Sequence, residues 1–258
     1  MKVVILAGGR GSRISEESII KPKPMIEIGD YPILWHIMKY YSSYGYDDFI
    51  ICCGYKGYVI KEYFADYYLH HADVMFDFSN QNKMTVFNNV TEPWKVTLVD
   101  TGLMTQTAAR IWKIRKYLND EPFMLTYGDG VSDVDINKLL KFHKEHHKIG
   151  TMTAVQPGGR YGVLDIGENH NIEKFTEKSK ENGGWINAGF MVMEQEIFQY
   201  ISGEDEEAFE NEPLENLAKD GQLMAYKHND FWHCMDTMRD KIILNDMWSS
   251  DNAPWKRW

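Results

Sequence analysis

The stretch KVVILAGGRGSR, residues 2–13, decides the fold. Its first half is a continuous apolar run, which is typical of a strand buried on both faces of a parallel sheet. Gly8 and Gly9 follow at once. Glycines placed directly after a buried strand let the backbone approach a ligand closely and offer its N–H groups to a phosphate. The stretch therefore predicts a strand that ends in an anion-binding loop.

Outward from that strand, predicted strands and helices alternate over residues 1–150. A helix opens after Pro32 and ends at Gly45, and residues 47–55 form a second buried strand. Strands over residues 95–100 and 122–130 then alternate with helices marked by apolar spacing at Ile60, Phe64 and Tyr67, at Ile111, Ile114 and Leu118, and at Ile136, Leu139 and Leu140. The alternation predicts the α/β class, with a Rossmann-like, mostly parallel or mixed sheet flanked by helices.

No linker separates the two halves of the chain. After Gly150 the pattern changes to short strands and turns, and two short helices are predicted, around residues 194–201 and 212–219. A last helix is predicted over residues 239–248. We therefore predict a single domain over residues 1–258, in which a nucleotide-type half, 1–150, is joined by a half, 151–258, that completes a cleft.

Composition excludes several classes of protein. The 258 residues carry 28 Lys+Arg and 38 Asp+Glu, a net charge of −10, which argues against nucleic acid as a general partner. Three cysteines form no disulfide framework, which favours a reducing cytoplasm. The opening apolar run is too short for a signal peptide, and no later segment is expected to span a membrane.

A basic loop follows the first strand. Arg10, Arg13, Lys21 and Lys23 stand there against two glutamates, a local charge of +2 that suits a polyphosphate. The loop is neither a dinucleotide fingerprint, because Ile14 takes the place of the third glycine, nor a P-loop, because no GK[ST] closes it. A solvated loop with turn glycines is the alternative.

Two acidic residues are candidates for metal binding. Asp129 lies between two glycines at the end of a buried strand, where ligands bind in open α/β sheets. Asp236 lies near the end of the partly aromatic stretch 231–237, and each of the two acids has a turn or capping role as its alternative. The sequence Asp133-Val134-Asp135 has the form of a DxD motif, but Asp135 directly precedes a helix and is predicted to cap it.

A further polar group lies in the second half. It offers a carboxylate and an amide for hydroxyl groups and an ammonium for phosphate, although exposed hairpin charges are the alternative: Tyr161, Gly162, Glu177, Lys178 and Asn187.

The segments LAGGRGSR, residues 6–13, and KPKPM, residues 21–25, resemble the sugar-1-phosphate nucleotidylyltransferases, whose usual pattern is LAGG-x-G-T-R followed by KP-x-P. The resemblance covers essentially the whole chain. ICCGYKGYVIKEYF, residues 51–64, and VTLVDTG, residues 96–102, are similar to the branch that joins CTP to glucose 1-phosphate. It implies a nucleotide-diphospho-sugar transferase fold and Mg²⁺-dependent formation of CDP-glucose and pyrophosphate.

The resemblance also implies roles for particular residues. It assigns catalysis to Lys23, Arg13 and Asp129, and Mg²⁺ to Asp129 and Asp236. The nucleotide would be bound by Leu6, Ala7, Gly8, Gly9, Arg10, Gly11, Ser12, Arg13, Lys23, Thr105, Arg110 and Gly128. Glucose 1-phosphate would be held in the second half by Tyr161, Gly162, Glu177, Lys178 and Asn187.

Three positions depart from the family pattern. Its T-G-G-R is Thr107-Ala108-Ala109-Arg110, which predicts two methyl groups near the nucleotide; its E-K-P is Glu177-Lys178-Ser179; and its asparagine-glycine-glycine is Asn187-Ala188-Gly189. The open alternatives are the same reaction with another nucleotide or sugar phosphate, a DxD glycosyltransferase, and a nucleotide-binding regulatory protein.

Four of the eight tryptophans lie in the last 27 residues: Trp232, Trp248, Trp255 and Trp258. Aromatic residues are enriched at interfaces, so this tail predicts a homo-oligomer, with packing against the chain's own core as the alternative.

Overall fold

The computed structural model describes residues 1–88, 90–156, 163–167, 170–176 and 184–258. The strands are β1 (Lys2–Leu6), β2 (Glu27–Ile28), β3 (Tyr31–Pro32), β4 (Asp48–Cys53), β5 (Asp73–Asp77), β6 (Lys83–Phe87), β7 (Lys95–Asp100), β8 (Phe123–Tyr127), β9 (Gly130–Ser132), β10 (Gly150–Val155), β11 (Val163–Ile166), β12 (Ile172–Thr176), β13 (Ile186–Asn187), β14 (Met191–Met193), β15 (Leu223–Lys227) and β16 (Trp232–Cys234). The α-helices are α1 (Ser15–Ser18), α2 (Ile33–Ser42), α3 (Gly57–Ala65), α4 (Tyr67–His70), α5 (Thr107–Ile114), α6 (Ile136–His146), α7 (Glu212–Lys219) and α8 (Met238–Ser249).

The main sheet is mixed, as predicted. Its strand order is β13-β10-β14-β8-β1-β4-β7, and β15 also pairs with β10. The strands β8, β1, β4 and β7 are parallel neighbours, whereas β14 is antiparallel to both β8 and β10. Leu6 pairs with Cys52 on one side and with Tyr127 on the other, so the carboxyl ends of these strands meet at one edge.

The sheet is buried on both faces, which explains the continuous apolar runs of its strands. Because side chains alternate along a strand, Val3 and Ile5 pack on one face with α2, α6 and α8, and Val4 and Leu6 pack on the other with α5 and α7. All four are at most 8% exposed. Strands from both halves of the sequence share this sheet.

Most predicted helices are confirmed, and two of them differ in form. Asp135 caps α6, because its carboxylate accepts a hydrogen bond from the Lys138 backbone N–H. The apolar spacing from Ile60 to Tyr67 predicts one helix, but the chain forms α3 and α4, which meet at Asp66. The helix predicted around residues 194–201 is a 3₁₀ helix over Gln195–Gln199.

The hairpin of β5 and β6 is absent from the sequence-based prediction. Its strands pair with each other and not with the main sheet. The hairpin and its flanks expose large apolar side chains, which are Met75, Phe76, Phe78, Met84, Phe87 and Val90. β5 has three apolar residues in a row and β6 alternates only over its first four residues, so the period that predicts a strand is weak here.

The aromatic tail packs against the chain's own core. Trp255 is fully buried, stacks on Phe231 and donates a hydrogen bond from Nε1 to His36 Nδ1 at 3.3 Å. Trp248 and Trp258 also contact the His36 ring. This packing explains the aromatic surplus of the tail, and a role for the tail between subunits stays a prediction. Among the described residues, no helix combines the length and apolar character needed to cross a membrane.

Candidate active site

A cleft opens at the carboxyl ends of β1 and β8, where the order of the parallel strands predicts a ligand site. The space in the cleft that no protein atom fills, including its opening to solvent, is about 840 Å³. Its lining residues are Leu6, Ala7, Gly8, Gly9, Gly11, Arg13, Lys23, Pro24, Thr105, Gln106, Thr107, Arg110, Tyr127, Gly128 and Asp129.

The loop after β1 forms one wall of the cleft. The Ala7 backbone N–H donates to the Cys52 carbonyl at 3.1 Å, and the Gly8 carbonyl accepts from the Tyr55 N–H at 3.1 Å. Gly9 is exposed, and a Cβ atom there would meet no protein atom within 4 Å. The loop is therefore fixed to β4 on one side and leaves open space at Gly9 on the other.

Lys23 is the central cation of the site. Its ammonium lies 2.6 Å from Asp129 Oδ2 and 2.5 Å from Asp236 Oδ1. The residue is 9% exposed, and burial alone would lower its pKa, but the negative charge of the Asp129 and Asp236 carboxylates outweighs burial and raises the pKa well above its usual value. The ammonium therefore stays charged. Arg13 donates to the second carboxylate oxygen of Asp236 at 2.7 Å.

The fold brings the two acidic residues together from distant parts of the sequence. β9 directly follows Asp129 and pairs with β16, and the Met235 N–H donates to the Asp129 carbonyl at 2.8 Å. One side-chain donor atom from each of Asp129, Cys234 and Asp236 lies within 4.8 Å of the others. Lys23 places its positive charge between the two carboxylates, so the site already accommodates a cation. Both acids fit a divalent cation, and Mg²⁺ binding stays a prediction.

Arg110 and Thr105 lie in the cleft wall but bind other parts of the chain. The Arg110 guanidinium is 4% exposed and donates to the carbonyls of Cys53, Gly102 and Gly8 at 3.2, 2.9 and 3.1 Å. It also donates to Thr101 Oγ1. Thr105 accepts a hydrogen bond from Lys113 at 3.0 Å. Arg110 thus braces the nucleotide loop through Gly8, and direct contacts of both residues with a nucleotide stay predictions.

Of the predicted sugar-phosphate residues, Asn187 is described, whereas Tyr161, Gly162, Glu177 and Lys178 lie outside the described residues. Asn187 Nδ2 donates to Tyr127 Oη at 3.0 Å, and its Oδ1 accepts from the Gly189 N–H at 2.8 Å. Tyr127 Oη in turn donates to Glu210 at 2.6 Å. Tyr127 lines the cleft, and its place at the end of the TYGDG strand is the signal that could have identified it.

Two interpretations of the sequence change here. Ala108 and Ala109 are both fully buried in α5, and neither belongs to the lining of the cleft, so the expected methyl groups near the nucleotide are not found there. Asp133 contacts His228 Nε2 at 2.9 Å, while Asp135 caps α6. Both acids of the DxD-like segment therefore have structural partners, which removes the main support for a glycosyltransferase.

Comparisons with known proteins show the family of the chain. The model of the nucleotidyl transferase family matches residues 2–246. The chain is 53% identical to glucose-1-phosphate cytidylyltransferase of Salmonella typhi and 41% identical to a probable glucose-1-phosphate cytidylyltransferase of Bacillus subtilis, each over 100% of both chains.

Solved structures support the fold. HddC from Yersinia pseudotuberculosis superposes with a TM-score of 0.75 at 24% identity, covering 96% of this chain and 99% of that one. A UDP-glucose pyrophosphorylase in complex with UDP-glucose gives a TM-score of 0.75 at 17% identity, covering 97% and 98%. The architecture described above is therefore a fold that the chain shares with these solved structures.

Proposed function

The chain belongs to the nucleotidyl transferase family, and on that premise we propose that it converts CTP and glucose 1-phosphate into CDP-glucose and pyrophosphate. The observation that carries the substrate assignment is the 53% identity with the Salmonella typhi cytidylyltransferase over the full length of both proteins. The cleft, its glycine-rich loop and its paired cations and acids supply the groups that this reaction needs.

The reaction is an in-line displacement at phosphorus. A phosphate oxygen of the sugar 1-phosphate attacks the α-phosphorus of CTP, and the bond from that phosphorus to the bridging oxygen breaks as pyrophosphate leaves. The attacking oxygen is already anionic, so no strong general base is required. Catalysis then consists of holding two anions together and neutralising charge as it develops.

Lys23 and Arg13 are the residues that neutralise this charge. The Lys23 ammonium is held by two carboxylates at the floor of the cleft, which fixes its position before substrate enters. Arg13 has a side chain that is 72% exposed, so it can move toward the leaving pyrophosphate. The loop residues 6–13 contribute backbone N–H groups to the phosphates.

Asp129 and Asp236 would hold Mg²⁺. Hard divalent cations prefer carboxylate oxygens, and the ammonium between these two carboxylates marks a position where positive charge is stabilised. Bound Mg²⁺ would supply neutralisation of phosphate charge and activation of the leaving group. In this proposal, glucose 1-phosphate is bound by Asn187 together with Tyr161, Gly162, Glu177 and Lys178, which lie outside the described part of the chain.

We further propose that the protein is a cytoplasmic homo-oligomer. Cys52 and Cys53 are buried as free thiols, which suits a reducing compartment. The apolar side chains exposed by the β5–β6 hairpin form a surface that a second copy could cover. Sedimentation at micromolar concentration tests the oligomer, and a monomer would contradict it.

Pyrophosphate release tests the function. The protein is incubated with Mg²⁺, each of the four nucleoside triphosphates and a panel of sugar 1-phosphates. We expect release with CTP and glucose 1-phosphate only. Preference for another nucleotide or sugar would keep the reaction class and change the substrate, whereas binding without turnover would refute the enzymatic proposal. Omission of Mg²⁺ tests the cation requirement in the same assay.

A further inference from the structure

Cys234 is the one member of the acidic cluster that the reaction does not use. Its Sγ atom lies within 4.8 Å of carboxylate oxygens of both Asp129 and Asp236. The other two cysteines, Cys52 and Cys53, lie in β4, at most 1% exposed. Cys234 alone therefore combines a thiol with the two carboxylates at the floor of the cleft.

The donor set is mixed in its chemistry. Mg²⁺ binds oxygen and has little affinity for sulfur, whereas Zn²⁺, Cd²⁺ and Co²⁺ bind thiolates well. Two donor atoms bound to one ion at about 2.0–2.3 Å and a tetrahedral angle lie about 3.3–3.8 Å apart, so donor atoms that now lie within 4.8 Å of one another must approach by about 1 Å for one ion to reach all three. Three protein ligands with one open position are also the usual arrangement of a catalytic zinc site.

We propose that Cys234 is a third ligand at the Asp129–Asp236 site, through which the site takes thiophilic divalent cations in preference to Mg²⁺. The inference rests on the cation site of the proposed function. On binding, the thiol gives up its proton to solvent and the sulfur donates an electron pair to the metal. Two carboxylates, one thiolate and a divalent ion sum to −1, and the adjacent Lys23 and Arg13 compensate this charge.

The consequence is a choice between two modes of metal binding. Mg²⁺ would use the two carboxylates and leave the thiol free. Cd²⁺ or Zn²⁺ would use all three side chains, so it would hold the acids in a different geometry, although either kind of cation would displace the Lys23 ammonium that now lies between the carboxylates. Micromolar Zn²⁺ is therefore expected to compete with Mg²⁺ at this site.

Cadmium titration of the substrate-free protein tests the proposal. Thiolate-bound Cd²⁺ gives an ultraviolet sulfur-to-metal charge-transfer band, which reports ligation directly and needs no activity. We expect the band in the wild-type protein and its loss in Cys234→Ser. The Kd for Cd²⁺ in that variant should rise at least about tenfold, the lower end of what loss of even an outer partner of a metal ligand costs.

Two further variants define the site. Cys52→Ala removes a buried thiol elsewhere and should keep the band, and Asp129→Asn should weaken Cd²⁺ binding. Circular dichroism and thermal unfolding without metal show that each variant is folded. No band in the wild type, a band that survives Cys234→Ser, or a band lost in folded Cys52→Ala would each overturn the proposal. Because no substrate is present, failure of the nucleotidyl transfer assay is a separate result.

Discussion

Removal of the Lys23 ammonium is the perturbation that tests the site most directly. Nζ lies 2.6 Å from Asp129 and 2.5 Å from Asp236, and the residue is almost fully buried. Lys23→Met keeps most of the aliphatic stem and leaves the two carboxylates without the cation between them. Lys21, two positions earlier in the same motif, pairs with Glu27 at 2.8 Å, which is half-exposed, so Lys21→Met is the matched control.

The structure sets the size of the expected effects. Removing one partner of a buried ion pair costs about 3–5 kcal/mol, because the remaining charge is left uncompensated. The Asp129 side chain is 28% exposed and that of Asp236 is 9% exposed, and water at Asp129 moderates the loss. We therefore expect the lower end, about 3 kcal/mol, for Lys23→Met. The control should lose only about 0–1 kcal/mol.

The catalytic rate of Lys23→Met should fall even where the variant remains folded. Losing one preorganised group that stabilises developing charge costs about 10²–10³ in rate, so kcat/KM of Lys23→Met should fall by that factor at a temperature where the variant is folded. Urea unfolding measures stability, and pyrophosphate release from CTP and glucose 1-phosphate measures rate. A folded Lys23→Met with kcat/KM within about threefold of the wild type would refute the reasoning, because it would leave no role for a stabiliser of this kind.

Three other predictions follow from the loop, the core and the helix. A Cβ atom at Gly8 would overlap the hydrogen-bonded guanidinium of Arg110, so Gly8→Ala should lower the Tm. A Cβ atom at Gly9 would meet no protein atom within 4 Å, so Gly9→Ala should leave the Tm unchanged and raise the KM for CTP. Burial lowers the pKa of His36 from 6.5 to about 4, against the opposing hydrogen bond to the Ile28 carbonyl. As the pH falls, the imidazole of His36 therefore takes up a proton in the unfolded chain before it does so in the folded one. The free energy of unfolding should fall by about 3 kcal/mol between pH 6.5 and pH 4. Urea unfolding should show a smaller loss in His36→Gln. Replacing Ala108 and Ala109 together by glycine should cost about 1 kcal/mol each in unfolding free energy and leave kcat unchanged, since both are buried in α5; a gain in kcat would contradict this placement.

The sequence predicted the sheet because its strands have little freedom to be anything else. Runs such as Val3–Leu6 are apolar at every position, and only a strand covered on both faces can bury them all. The glycines that follow mark the edge where ligands bind. The same argument placed Asp129 at the end of β8, and the structure puts it there.

Partners that are far apart in the sequence could not be predicted in this way. Arg110 satisfies its guanidinium with carbonyls of Gly8, Cys53 and Gly102, and only the fold determines which carbonyls are near. The pairing of β9 with β16, which unites Asp129 with Asp236, likewise joins segments about a hundred residues apart. Neither local periodicity nor composition carries information about such a contact.

The charge of the site gives a physical reason for its cation. The sequence of the basic loop indicates a local +2, but the fold adds Asp129 and Asp236 to Lys23 and Arg13, and these four side chains sum to zero. A neutral floor in a protein of net charge −10 gives two phosphate-bearing substrates little net electrostatic attraction. A divalent cation on the two carboxylates would release the ammonium toward the phosphates and add the missing positive charge. Neutralising one carboxylate by Asp236→Asn should therefore weaken cation binding while leaving Lys23 charged beside Asp129. Isothermal titration with Mg²⁺ measures the cation affinity, and an affinity of Asp236→Asn equal to that of the wild type would contradict this account.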